Sequence, residues 1–206
     1  MHARSTTVQV HSSSIDAQVA HVRDDVMPAL RATDGCIGLS MLVNRVSGRC
    51  IATSAWETEE AMRASAERVR DSRERAAEMF DMTPEVEEWE IAVLHRDHPS
   101  APGAWVRTTW VHVEPEQTDR LADLYRIVLL PQIVEFEGFA SASLLIDRPS
   151  GHAVSSVTFD SYRAMRSTSS LAAVVRERGA AEVDGEILEV DQLELALAHL
   201  RVSEIA

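Results

Sequence analysis

Lysine is absent, so all 20 basic residues are arginine, and asparagine occurs once, as Asn44. The first absence excludes Schiff-base enzymes, lysine-anchored pyridoxal phosphate and the lysine-bearing phosphate loop, because each needs an amine at its centre. Against those arginines stand 33 acidic side chains and a net charge of −13. That balance argues against a nucleic-acid partner, which calls for a clustered basic face. No apolar run approaches the roughly 20 residues of a membrane span, and Met1–Thr7 lacks a signal-peptide core, so no membrane partner and a cytoplasmic location are expected. Aromatics make up 5% of the chain and there are two cysteines, too few for a disulfide scaffold. What remains, 45% hydrophobic and 26% charged, is an ordinary globular composition.

The chain repeats itself. A shift of 103 pairs Arg4 with Arg107, Thr6 with Thr109, Val8 with Val111, Arg23 with Arg126, Pro28 with Pro131 and Gly35 with Gly138. From Gly35 to Arg63, nine of 29 positions are identical to their partners, where chance gives roughly two. Near the ends the shift becomes 104, pairing Glu90 with Glu194 and His95 with His199. This is a tandem duplication: residues 1–97 form the first repeat, 98–104 a Pro/Gly-bearing linker, and 105–206 the second. The halves 1–103 and 104–206 carry 11 Arg against 17 acids and 9 against 16, so neither is a charged tail.

Within each copy the hydrophobic period alternates between two and 3.6. Thr7–His11 reads as a strand. Ile15, Val19, Val22, Val26 and Leu30 mark one face of a helix, answered by Ala122, Tyr125, Leu129 and Ile133. Ser13 is a candidate cap, Pro115 suits a first turn, and Pro28 and Pro131 should loosen the last turns. Cys36–Asn44 and Arg49–Trp56 read as a hairpin around Arg45–Gly48. Thr58 caps a second helix expected to reach about Phe80, with Ser161–Arg178 as its counterpart, and Glu87–His95 is a last strand. The order βαββαβ in each copy predicts an α+β protein: two tandem ferredoxin-like domains packed sheet to sheet.

This arrangement resembles the dimeric α/β-barrel superfamily, and within it the antibiotic-biosynthesis monooxygenase-like domains. Leu30–Gly35 (LRATDG) looks like the helix end and glycine turn of that family, and Ala55–Ala61 (AWETEEA) like its strand-end tryptophan and acidic helix start. The resemblance implies an intrachain dimeric α/β barrel, where single-domain relatives form homodimers; a further homo-oligomer stays open. Some relatives oxidise aromatic polyketide-like compounds with oxygen and neither metal nor flavin, so the resemblance implies a cofactor-independent monooxygenase-like protein acting on or binding a small hydrophobic aromatic molecule. The alternative is a non-enzymatic binding or interaction protein of the same fold. Haem-degrading relatives combine an asparagine near the first strand, the tryptophan, and a histidine in the second helix. Here Asn44 lies at the hairpin and the expected second helices hold no histidine, which disfavours haem and chlorite-dismutase chemistry.

Four residues are the ligand-binding candidates. Trp56 either lines a cavity or is a core aromatic, as its twin Phe159 suggests. His21, whose twin is Leu124, is of the residue type suited to proton transfer, although a solvent-facing histidine is the plainer reading. Tyr125 points at the sheet, with a phenol for a ligand or for the core. His95 and His199 could meet about a twofold axis, yet no third metal ligand is evident, and strand-end surface histidines are the plainer reading. Cys36 and Cys50 stand about 24 Å apart along the hairpin at roughly 3.4 Å per residue, beyond disulfide reach. The run Glu67–Glu78 alternates in charge as a solvated helix face does.

Overall fold

Each repeat begins with a strand that hydrogen-bonds the second strand of its own hairpin. The computed structural model describes residues 1–66, 70 and 83–200. Strand β1 (His2–Gln9) pairs antiparallel with β3 (Arg49–Trp56), which pairs with β2 (Cys36–Val43), Val43 opposite Cys50. In the second repeat β5 (Trp105–His112), β7 (His152–Phe159) and β6 (Phe139–Asp147) repeat that register. With β4 (Glu85–Arg96) and β8 (Glu186–Leu200), hydrogen-bonded neighbours follow the order β1-β3-β2-β8-β5-β7-β6-β4, which closes as a barrel. The α+β barrel expected from the repeats is thus the observed fold.

Two compact units result: Met1–Trp89 with the strand segment from Glu194, and Glu90–Leu193. The last strand of each repeat therefore divides between them. Each unit has its own core, around Ile15, Met41, Trp56 and Met62 in the first and around Tyr125, Phe136, Ile146 and Phe159 in the second.

The hairpin turns depend on glycine. Gly48 and Gly151 hold φ of +85° and +74°, and a Cβ there would meet the Val10 and Val113 carbonyl oxygens at 2.0 and 1.9 Å. Those approaches let Val10 N and Val113 N donate to the Gly48 and Gly151 carbonyls at 3.0 Å, tying each hairpin to the chain leaving β1 or β5.

The first helix of each repeat is irregular where proline enters. In the first, α1 (Ile15–His21) passes through a π-helical turn, Val22–Val26, into α2 (Met27–Arg31). In the second, α4 (Thr118–Leu124) passes through Tyr125–Leu129 into α5 (Leu130–Ile133). Pro28 and Pro131 have no N–H to give the ladder, and the widened turn directly precedes them. The expected cap Ser13 is not one. A 3-10 turn, Ser12–Ser14, precedes α1, and His11 Nδ1 accepts the Ser13 amide at its start.

Thr58 caps α3 (Glu59–Ala64), its Oγ1 accepting Ala61 N at 3.1 Å. The expected continuation to Phe80, with most of the run Glu67–Glu78, lies outside the described residues. The helix expected over Ser161–Arg178 is two pieces, α6 (Tyr162–Ser167) and α7 (Ser169–Glu182). They divide at Thr168, whose hydroxyl donates to the Met165 carbonyl at 2.9 Å and accepts a bond from Arg107. Ser65 makes the same bonds in the first repeat, to Met62 and from Arg4. A buried arginine from the first strand docks at Ser65, the C-cap of α3, and at Thr168, between α6 and α7.

Candidate functional site

A cavity lies between strands and helices in each unit, about 90 Å³ in the first and about 80 Å³ in the second. A water needs roughly 10–15 Å³ and an engineered cavity of roughly 150 Å³ takes benzene. Each therefore has room for a small molecule, and a single ring would require lining side chains to move.

In the first cavity, β1 contributes Arg4 and Thr6, β2 contributes Leu39 and Met41, and β3 contributes Cys50, Ser54 and Trp56. The helix brings Gln18, His21, Val22, Val26 and Leu30. His21 is not the surface residue that spacing suggested, because its side chain is 11% exposed. Nδ1 donates to Asp25 Oδ2 at 3.0 Å, one turn on. With that carboxylate as acceptor, the neutral ring leaves its lone pair on Nε2. Nε2 is buried and has no hydrogen-bond partner among the described residues, and the same holds for Gln18 Oε1 one turn earlier. In that form of the ring, two unsatisfied acceptors sit in the wall of a largely apolar space that Arg4, Thr6 and Ser54 also border, the condition a bound donor relieves. Trp56 is fully buried and donates Nε1 to Ser54 Oγ at 3.0 Å, so its polar end is satisfied and its ring is wall. Burial pushes the Cys50 thiol up to about 11, which keeps it neutral and unreactive.

The second cavity differs. Tyr125 lines it, with its hydroxyl 3.0 Å from Ser155 Oγ and 3.4 Å from the Ser143 carbonyl. Burial pushes this phenol up to about 12. Phe159 is buried behind the wall, stacked on Phe136 at 6.3 Å with the Arg107 guanidinium 5.2 Å from its centre. Tyr125 and Phe136 are the rings among the lining residues. The four candidates therefore divide: His21 and Trp56 together on one cavity, Tyr125 on the other, and Phe159 supporting it.

The arginines and Gln18 were missed. Arg4 is 6% exposed, and its Nη2 donates to Glu88 Oε1 at 2.7 Å and its Nη1 to Ser65 Oγ at 3.2 Å. Arg107 and Arg176 line the second cavity. The available signal was the match of Arg4 with Arg107 across the repeat. Gln18 gave none, being polar on a stripe identified by its apolar members.

Among the described residues no group of three His, Cys, Asp or Glu is placed to hold a metal ion. His95 stacks on Phe139 at 5.9 Å in the second unit, and His199 stands opposite Leu39 in the first. Cys36 and Cys50 form no disulfide. No described helix is long and apolar enough to cross a membrane.

No family model matches the sequence. Two proteins of Mycobacterium tuberculosis named as uncharacterised, Rv2557 and Rv2558, are 58% identical over 205 residues and 54% identical over 206. These alignments cover 100% of this chain and 92% and 87% of those proteins. Among solved structures, a candidate monooxygenase from Lactobacillus acidophilus superposes with a TM-score of 0.71 at 8% identity, covering 97% of this chain and 96% of that one. An anthrone oxidase-like protein gives 0.68 at 14% identity, covering 100% and 95%. A ferredoxin-fold protein related to antibiotic biosynthesis monooxygenases, from Listeria monocytogenes, gives 0.54 at 10%, covering 95% of both. At such identities the likeness is one of fold. The chain belongs to the family of the mycobacterial proteins Rv2557 and Rv2558, and its fold is the dimeric α/β barrel of the antibiotic-biosynthesis monooxygenase-like proteins.

Proposed function

We propose that the first unit oxygenates a small, mostly apolar ring compound with dioxygen, beginning with proton abstraction by His21. The observation that carries this reading is the His21–Asp25 pair, which leaves an unpartnered imidazole nitrogen in the wall of a cavity where Met41, Leu39, Val22 and Trp56 stand beside Arg4, Thr6 and Ser54. A carboxylate on one side of an imidazole fixes the tautomer and stabilises the charge gained when the other side takes a proton. Gln18 Oε1 accepts a hydroxyl or N–H of the substrate and sets its orientation.

For a methylene activated by a neighbouring ring, the proton goes to His21 Nε2 and the electron pair left on carbon goes to dioxygen. The peroxide so formed recovers the proton as a hydroperoxide, and loss of water from it leaves a carbonyl. One oxygen atom enters product and one leaves as water. All four electrons come from the substrate, so the balance requires no further reductant. The kinship of fold with a candidate monooxygenase and an anthrone oxidase-like protein supports the same reading.

Oxygen uptake with a panel of one- and two-ring phenols and ring-activated methylenes tests it. His21→Gln should lower kcat by about 100-fold or more, the usual weight of a positioned base. Unchanged uptake in that variant refutes the proposal. In the second unit, Leu124 stands where the first has His21, and the only phenol in its cavity stays protonated to about pH 12. Those two observations favour binding without turnover there.

A further inference from the structure

The second unit keeps the buried arginine of the first and lacks its counter-charge. Trp89 and Leu193 are both buried within β4 and β8. Aligning them at the shift of 104 sets Glu88, the partner of Arg4, against Gln192. Arg107 is 5% exposed, and its hydrogen bonds reach only neutral oxygens: Thr168 Oγ1 and Ser169 Oγ at 3.3 Å, and the Met165 carbonyl at 2.5 Å. Among the described residues no carboxylate pairs with it.

A second guanidinium, Arg176 on α7, lines the same cavity, and its Nε is buried with no hydrogen-bond partner among the described residues. Burial first, and then the charges of Arg176 and Arg166, push the Arg107 guanidinium down to about 10. A buried charge without a partner is strongly unfavourable, and a bound anion removes that penalty. Guanidinium is the group best shaped to take a carboxylate, through paired N–H donors. Apart from Thr109, Tyr125 and Ser155, the remaining wall is apolar, with Phe136, Leu144 and Val157 among its members.

We propose that the cavity of the second unit binds a small monocarboxylate with an apolar body, an aryl or branched-chain acid. Its carboxylate meets Arg107 and Arg176 and its body packs against Phe136, Leu144 and Val157. The two cavities share no lining residue, so this assignment stands or falls separately from oxygenation in the first.

Titration calorimetry of the full chain with benzoate, benzamide and inorganic phosphate tests it. Benzoate should bind at least 10-fold more tightly than benzamide, the value of one charge-assisted hydrogen bond over a neutral one. It should also bind more tightly than phosphate, which has no apolar body. Arg176→Gln should weaken benzoate at least 10-fold. Gln192→Glu, which installs the carboxylate that the first unit sets beside its arginine, should abolish benzoate binding. Should Q192E fail to give a native circular dichroism spectrum, R176Q decides alone, since that side chain is part-exposed. Absence of benzoate binding at millimolar concentration, equal affinity for benzoate and benzamide, phosphate binding as tight as benzoate, or insensitivity to R176Q each overturns the assignment.

Discussion

A reciprocal exchange at Trp56 and Phe159 separates packing from pocket shape. These residues end β3 and β7, are fully buried, and occupy twin positions. Trp56→Phe removes the bond from Nε1 to Ser54 Oγ, worth about 1 kcal/mol net, and two buried ring carbons at about 0.8 kcal/mol each. Ser54 keeps its bond to the Arg4 carbonyl at 3.3 Å, so no buried hydroxyl is orphaned. The expected loss is about 2–3 kcal/mol, because the adjoining cavity of about 90 Å³ is enlarged and not refilled. Phe159→Trp faces the opposite problem. Phe136 and the Arg107 guanidinium hold that ring, and it does not border the second cavity. Forcing in a larger ring should cost about 1–3 kcal/mol by overpacking. Urea unfolding followed by circular dichroism at 25 °C measures both, with unchanged m-values as the sign that only stability has moved. W56F should also admit bulkier rings to the first cavity. Stability of W56F within about 0.5 kcal/mol of the parent would refute the packing argument, and a stabilised F159W would refute the placement of Phe159 behind the wall.

Glycine exchange should rank the turns: Gly48→Ala and Gly151→Ala bring Cβ onto a backbone oxygen at about 2 Å and should cost well over the roughly 1–2 kcal/mol of left-handed strain. Gly103→Ala, at φ +91° with nothing within 4 Å, should cost that strain alone; equal melting temperatures for the three variants would contradict the contact argument. Alkaline pH should destabilise the fold, since Cys50 and Tyr125 are held neutral to about 11 and 12 against ordinary values of 9.0 and 10.0. The folded state then keeps protons that the unfolded chain has lost, so stability is full below pH 9 and falls as pH rises through 9 to 12, by an amount on the order of 3 kcal/mol per group at most. Cys50→Ala should remove the part that begins near pH 9 and leave the part that begins near 10, which melting temperature against pH will show; superimposable profiles would count against burial as the cause.

The repeat and the hairpins were legible because each rests on residues that backbone geometry dictates. Gly48 and Gly151 sit where a Cβ would strike a carbonyl, and the alternation of Val8 and Val10 survives as a buried face. The prolines announced irregular first helices, and the form of the irregularity was not legible, because a π turn is set by where the unpaired carbonyls find donors. The misjudged His21 has a separate cause, since it lies in the regular helix before that turn. Extrapolating the stripe through Ile15, Val19 and Val22 puts His21 to one side of it, whereas the burial of Gln18 widens the inward face to include both polar residues. Burial of Arg4 and Arg107 contradicts the ordinary preference of arginine for the surface, and composition carries no sign of it. Cavities are the least legible feature, being the places where side chains fail to fill space.

That failure to fill space also accounts for how the two halves differ. Positions that close the fold agree between repeats: the turn glycines, the capping Thr58 and Ser161, and the arginines that dock at Ser65 and Thr168. Each touches backbone or a buried polar atom at a fixed distance, so a change there breaks a contact. Beside the strand positions that both walls share, Thr6 with Thr109 and Val8 with Val111, other positions that line the first cavity differ in the second repeat: Gln18 with Leu121, His21 with Leu124, Val22 with Tyr125, Ala52 with Ser155. A side chain bordering open space can change size and polarity without displacing a neighbour, so substitution there alters chemistry at little cost in packing. The exception is Glu88 and Gln192, where the change strips a buried guanidinium of its carboxylate and a packing argument predicts a penalty. A chain that carries such a penalty beside an apolar cavity is accounted for if a ligand carboxylate supplies what Gln192 does not.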